Sequence, residues 1–172
     1  MKRKGITFFI ILISFLLQST VFNKLKFGAV SPNLLIIVTS SFGFMRGRKS
    51  GMAVGAISGL FVDVFWGHLI GFHTLIYMVI GYVNGSLERL FYDEDIKLPI
   101  ILISASELLY GFSTYVFWYM LQGNFAFGEY LSTIIIPELV YTILVTLILY
   151  QVILHINRKL ESEEQRSASR FV

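Results

Sequence analysis

RGRKSGMAVGAISGLFVDVFWG, residues 46–67, is the stretch whose reading decides the fold. It opens on a basic turn, Arg46, Arg48 and Lys49, and closes on Asp63, Trp66 and Gly67. Between them Gly51, Gly55 and Gly59 recur at every fourth position of an apolar run. In water this would be a poor helix, since each interior glycine costs about 1 kcal/mol relative to alanine. A bilayer changes the balance: helix association there gains little from hydrophobicity, and close backbone approach across small residues supplies much of the packing. A step of four residues drifts by about 40° on a helix of about 3.6 residues per turn. The three glycines therefore form a slanted groove, Asp63 continues the slant, and Gly81 and Gly85 repeat the spacing downstream. The neighbour in that groove is either another helix of this chain or the single membrane helix of a partner.

Composition supports the bilayer setting. The 172 residues are 55% hydrophobic, 16% aromatic and only 15% charged, with a mean hydropathy of +0.71. A soluble domain carries about 25% charge. There is no cysteine, which excludes disulfides, thiolate zinc sites and cysteine nucleophiles. The net charge of +3 comes from Lys and Arg in short groups between apolar runs, not from the clustered basic face that nucleic acid requires.

Crossing about 30 Å of hydrocarbon takes roughly 20 apolar residues. Six runs approach that length: residues 5–22, 31–45, 51–66, 69–87, 98–121 and 130–156. The second and third are short, so they thin the bilayer locally or borrow flanking residues. MKRKGITFFIILISFLLQ, residues 1–18, has the charged start and apolar middle of a signal peptide, but no small-x-small cleavage site follows. It reads as a retained first span. The expected fold is all-α, a six-transmembrane-helix bundle forming one polytopic domain over residues 1–160, with a short polar, unstructured tail over 161–172.

Charge orients the bundle, because Lys and Arg accumulate in cytoplasmic loops. Six spans place both termini on one side together with Lys2, Arg3, Lys4, Arg46, Arg48, Lys49, Arg89, Lys97, Arg158, Lys159, Arg166 and Arg170, and leave only Lys24 and Lys26 opposite. The side holding twelve of the fourteen basic residues is the cytoplasm. Trp66 and Trp118 then fall near outer ends, where amphipathic rings favour the headgroup zone.

No phosphate loop, metal-ligand motif or nucleophile elbow is present, so neither an enzyme nor a cofactor is expected. His68 and His73 are five apart across a glycine, a poor spacing for one helical face, and His155 is interfacial. What remains is intramembrane polarity. Glu107 lies about ten residues into the fifth run and Glu138 follows Pro137 in the sixth; an acidic side chain at such depth is penalised by roughly 2.5 to 3.5 kcal/mol. No Lys or Arg lies deep enough to pair with either. They are expected to hydrogen-bond Ser, Thr, Tyr or Asn of a neighbouring helix, or to serve a ligand or proton. Asp63, near a helix end, can reach water or cap.

SPNLL at 31–35, the quoted block at 46–67 and LIGFHTLIYMVIGYVNG at 69–85 together resemble the MreD family of bacterial rod shape-determining membrane proteins. The resemblance implies a small inner-membrane scaffold of the elongation machinery that binds the bitopic coiled-coil protein MreC. Through it, cytoplasmic MreB filaments would be linked to the peptidoglycan synthases outside. The family is also similar to the substrate-binding subunit of energy-coupling-factor vitamin transporters, a six-helix bundle, so the alternative is a transporter subunit that binds a small molecule. The matching residues are Arg46, Gly47, Gly51, Gly55, Gly59, Asp63, Gly67, Gly81 and Gly85, carried over as packing or partner-contact positions; the family has no catalytic residues to transfer.

The charge bias makes a direct prediction: reporter fusions after Lys49, after Tyr92 and at the C-terminus should report cytoplasm, and fusions near Phe27 and Phe125 the outside. An outside report at Lys49 would overturn the six-span reading.

Overall fold

A helix that is apolar on every side belongs in an interior, and LLIIVTSSFGFM, residues 34–45, is such a helix. In the computed structural model, which describes residues 2–25, 30–67, 69–91, 96–123 and 125–168, every one of these twelve residues is buried. They begin helix α2 (Leu34–Phe65). Around them pack α1 (Lys2–Leu17), α3 (Phe72–Ser86), α4 (Lys97–Thr114) and α6 (Ile136–Ala168), with a short α5 (Phe127–Tyr130) leading into α6. Wider π-type turns extend α1 through Phe22, follow α4 at Tyr115–Tyr119 and precede α6 at Leu131–Ile135. Leu35, Ile36, Ile37, Tyr77, Ile80 and Ile103 are the centre of the core, each at most 1% exposed.

Helix α2 starts inside the bundle, where water cannot reach its unpaired N–H groups. Side chains take that role. The Asn33 Oδ1 accepts from the Ile36 N–H at 3.3 Å and from the Tyr77 hydroxyl at 2.8 Å, while the Asn33 N–H donates to Thr142 Oγ1 at 3.0 Å. Gln18 Oε1 accepts from the Leu35 N–H at 3.2 Å. One helix end is thus held by α1's extension, α3 and α6 together.

The basic turn expected between the second and third runs is reduced to a single residue. Gly47 adopts φ 81° and ψ 179°, a left-handed conformation that only glycine enters freely. Residues 34–46 and 48–65 are therefore two arms of α2 about one hinge. A straight helix would separate positions eight apart by about 12 Å, yet a Cβ on Gly51 would stand 2.8 Å from Gly43 Cα. The arms fold back on each other.

At this hinge the Arg46 guanidinium donates to the Asn157 side chain and lies 3.6 Å from Glu164, which Arg3 also holds at 2.9 Å. The Arg3 hydrogen bond keeps the exposed Glu164 carboxyl below its ordinary pKa. These contacts explain a departure from the sequence reading: α6 continues to Ala168, so 161–168 is helical rather than an unstructured tail, and 169–172 lie outside the described residues.

Among the described residues, three helical stretches are long and apolar enough to cross a membrane, Arg3–Phe22, Lys97–Gln122 and Phe127–Gln165. The arms of α2 and the 15-residue α3 are shorter. No β-strand occurs among the described residues.

Candidate functional site

The second arm of α2 and α3 run antiparallel with their backbones in contact. A Cβ added to Gly51 would come 2.2 Å from the Gly81 carbonyl oxygen, and one on Gly81 would come 2.1 Å from that of Gly51. A Cβ on Gly55 would come 2.2 Å from the Tyr77 carbonyl oxygen, one on Gly59 2.4 Å from the Thr74 Cα, and one on Gly85 2.5 Å from the Arg48 nitrogen. Gly43 joins from the first arm, where a Cβ would come 2.8 Å from the Gly81 carbonyl oxygen. No side chain fits anywhere along this seam. Its neighbour is internal, so the spaced glycines that the sequence offered for packing or for a partner face α3.

Asp63 ends the seam. It is 1% exposed, enclosed rather than reaching water as its position near a helix end suggested. Helix α3 begins after Gly71, whose φ of 102° turns the chain back toward α2. The α3 N–H groups then point at the Asp63 carboxylate: Oδ2 accepts from Gly71 N–H at 2.8 Å, Thr74 N–H at 3.0 Å and the Thr74 hydroxyl at 2.6 Å, and Oδ1 from His73 N–H at 2.9 Å. His73 Nδ1 sits 2.9 Å from the same Oδ1. Helix caps are usually local; this one arrives from the preceding helix. Full hydrogen bonding offsets the desolvation of the charge, and the positive end of the helix dipole favours it further. Gly67 lets the chain leave α2 here, since a Cβ on it would come 2.7 Å from Asp63 Cα. At the other end of the pair Glu88 lies against Gly47, where a Cβ would come 2.3 Å from its Oε2. An acidic side chain therefore stands at the start of each member of the pair.

Glu107 on α4 is 2% exposed, and its carboxyl lies beside that of Glu138 in the first turn of α6. Among the described residues neither has a hydrogen bond to the Ser, Thr, Tyr or Asn partner expected from sequence; the two lie beside each other. Two adjacent buried carboxyl groups can share a hydrogen bond when one of them carries the proton. The second oxygen of Glu107 has no partner among the described residues. The Tyr110 ring lies beside the pair's surroundings, 5.6 Å from Tyr77 and 6.0 Å from His73. A belt of polar groups thus runs from Asp63 through His73, Tyr110 and Tyr77 to Asn33, with the two glutamates beside it.

Sequence reasoning passed over Asn33, Thr142 and Gln18 at the α2 start, Asn84, which donates to Ser106 Oγ at 2.8 Å, and the Arg3–Glu164 pair. For the uncharged residues the available signal was their isolation as polar groups in or beside apolar runs; Arg3 and Glu164 lie in charged segments and carry no such signal. Arg46 is placed at the α2 hinge, away from the seam's centre. His68 lies outside the described residues, and no group of three metal-ligating side chains occurs among the described ones.

A family model described as rod shape-determining protein MreD matches residues 2–160 of the chain. No curated protein and no solved structure matches it.

Two substitutions test this geometry. Gly55→Leu should prevent accumulation in the membrane, because overpacking alone costs about 1 to 3 kcal/mol and here the obstacle is backbone; normal abundance would mean the seam is open. Glu107→Gln should be nearly silent, since the amide still donates to Glu138, whereas Glu107→Leu should lower thermal stability in detergent by leaving a buried carboxyl unpaired. Equal losses would show that the shared hydrogen bond does not hold the pair.

Proposed function

The chain belongs to the MreD family of rod shape-determining proteins, and from that premise we propose that it is a non-enzymatic scaffold of the cell-elongation machinery in the bacterial inner membrane. In this reading it crosses the membrane six times with both termini in the cytoplasm. It binds a bitopic coiled-coil protein of the MreC kind and, through it, helps link cytoskeletal filaments to peptidoglycan synthesis. The observation that carries the reading is the family match over 2–160. The six crossings draw support from the reversal at Gly47, which divides α2 into two arms.

The packed interior supports a scaffold over a carrier. The space between α2, α3 and α4 is filled by Leu35, Ile37, Tyr77, Ile80 and Ile103, all at most 1% exposed. A second reading, a small-molecule-binding transporter subunit, is favoured by one observation, the unpartnered oxygen of buried Glu107. Purification from native membranes separates the two. Recovery of a single-span coiled-coil protein, with rounding of rod-shaped cells on depletion, is the expected result. A bound small molecule without such a partner, in cells that keep their shape on depletion, would overturn the scaffold reading.

A further inference from the structure

The contact between α1 and the second arm of α2 differs along its length. Toward the Asp63 end, aromatic rings close it: Phe15 stacks on Phe61 at 5.2 Å and meets Phe65 and Trp66 at 5.0 and 5.1 Å. Toward the basic end the helices part. A Cβ on Gly5 would have no neighbour within 4 Å, and a groove of about 740 Å³ opens between the two helices. Its wall is apolar, formed by Phe8, Ala53, Val54 and Ile57. Its mouth carries Arg3, Lys4 and Lys49 with the hydroxyls of Thr7 and Ser50, and one acidic group, Glu164. That carboxylate is already engaged by Arg3 at 2.9 Å and by Arg46 at 3.6 Å. Lys4 and Lys49 have no ion pair among the described residues and are exposed.

We propose that this groove holds an anionic phospholipid, with an acyl chain along Phe8, Ala53 and Ile57 and the phosphate between Lys4 and Lys49. The chemistry selects this occupant. A soluble anion would make no use of the apolar wall, a zwitterionic lipid would gain little from two unpaired ammonium groups, and a partner's apolar helix would have to cover both lysines. Basic pockets between membrane helices bind acidic headgroups by this combination of field and shape. Thr7 and Ser50 add hydroxyl donors where the glycerol and phosphate oxygens would lie. The inference needs only that α1 and α2 lie in a bilayer and is independent of the scaffold reading.

The test is lipid retention by the purified full-length chain in mild detergent, titrated with dioleoyl phosphatidylglycerol or dioleoyl phosphatidylcholine and read by native mass spectrometry. The wild-type chain should retain phosphatidylglycerol in preference to phosphatidylcholine. The double variant Lys4→Gln, Lys49→Gln should lose about tenfold or more of that affinity, given the contribution of each basic residue near a headgroup. Both side chains are exposed, so the variant should elute as the wild type does. Arg89→Gln with Lys159→Gln, an equal change of charge outside the groove, should leave retention unchanged, and Ala53→Trp should reduce it without altering charge. Equal retention of the two lipids, retention unaffected by the Lys4 and Lys49 changes, or an equal loss in the Arg89 and Lys159 variant would each overturn the proposal.

Discussion

Backbone-to-backbone contact between the second arm of α2 and α3 is the constraint on which the rest of the molecule depends. In hydrocarbon there is no water to satisfy a stray N–H or carbonyl, and two short helices have little apolar surface that lipid would not cover equally well. Glycine at 43, 51, 55, 59, 81 and 85 lets the arms of α2 and α3 approach to the limit of their main chains. Dispersion across that line replaces the missing hydrophobic drive. With the pair fixed, the first arm can sit in the middle of the bundle with α1, α4 and α6 around it.

Polar groups then appear where this arrangement creates unpaired backbone. The start of α2 is buried, so Asn33 and Gln18 serve its N–H groups. The start of α3 is part-buried, and Asp63 serves its N–H groups. These side chains are costly in an apolar medium when alone and stabilising when matched, so each one specifies which helix end lies beside which neighbour. Glu107 and Glu138, side by side, follow the same logic for α4 and α6.

Much of this was legible in the sequence. The apolar runs marked the helices, and the spacing of Gly51, Gly55 and Gly59 and of Gly81 and Gly85 marked two lines for close packing, because periodicity is a local property; that the two lines face each other is not local and was left open. The hinge was half legible: the RGRK segment marked a boundary, but nothing local distinguishes a four-residue turn from a reversal at Gly47 alone. The pairing of Glu107 with Glu138 was not legible, since it requires knowing that α4 and α6 are adjacent. The helical tail was misread for a related reason, as its charge suggested solvation whereas Arg3, more than 150 positions earlier, holds it. Asp63 showed the reverse error: its depth was judged along the helix, and its burial arises from Gly71 folding α3 over it.

The tertiary cap also bears on how the chain enters the membrane during synthesis. Until α3 emerges, the second arm of α2 carries an aspartate with no donors, a segment that partitions poorly into lipid by itself. The N–H groups that neutralise this cost belong to residues only eight to eleven positions later. Such near-neighbour contacts close quickly compared with long-range ones. Helix α3 and the arm before it are therefore suited to leave the insertion machinery as one hairpin, Asp63 already sealed, rather than one after the other.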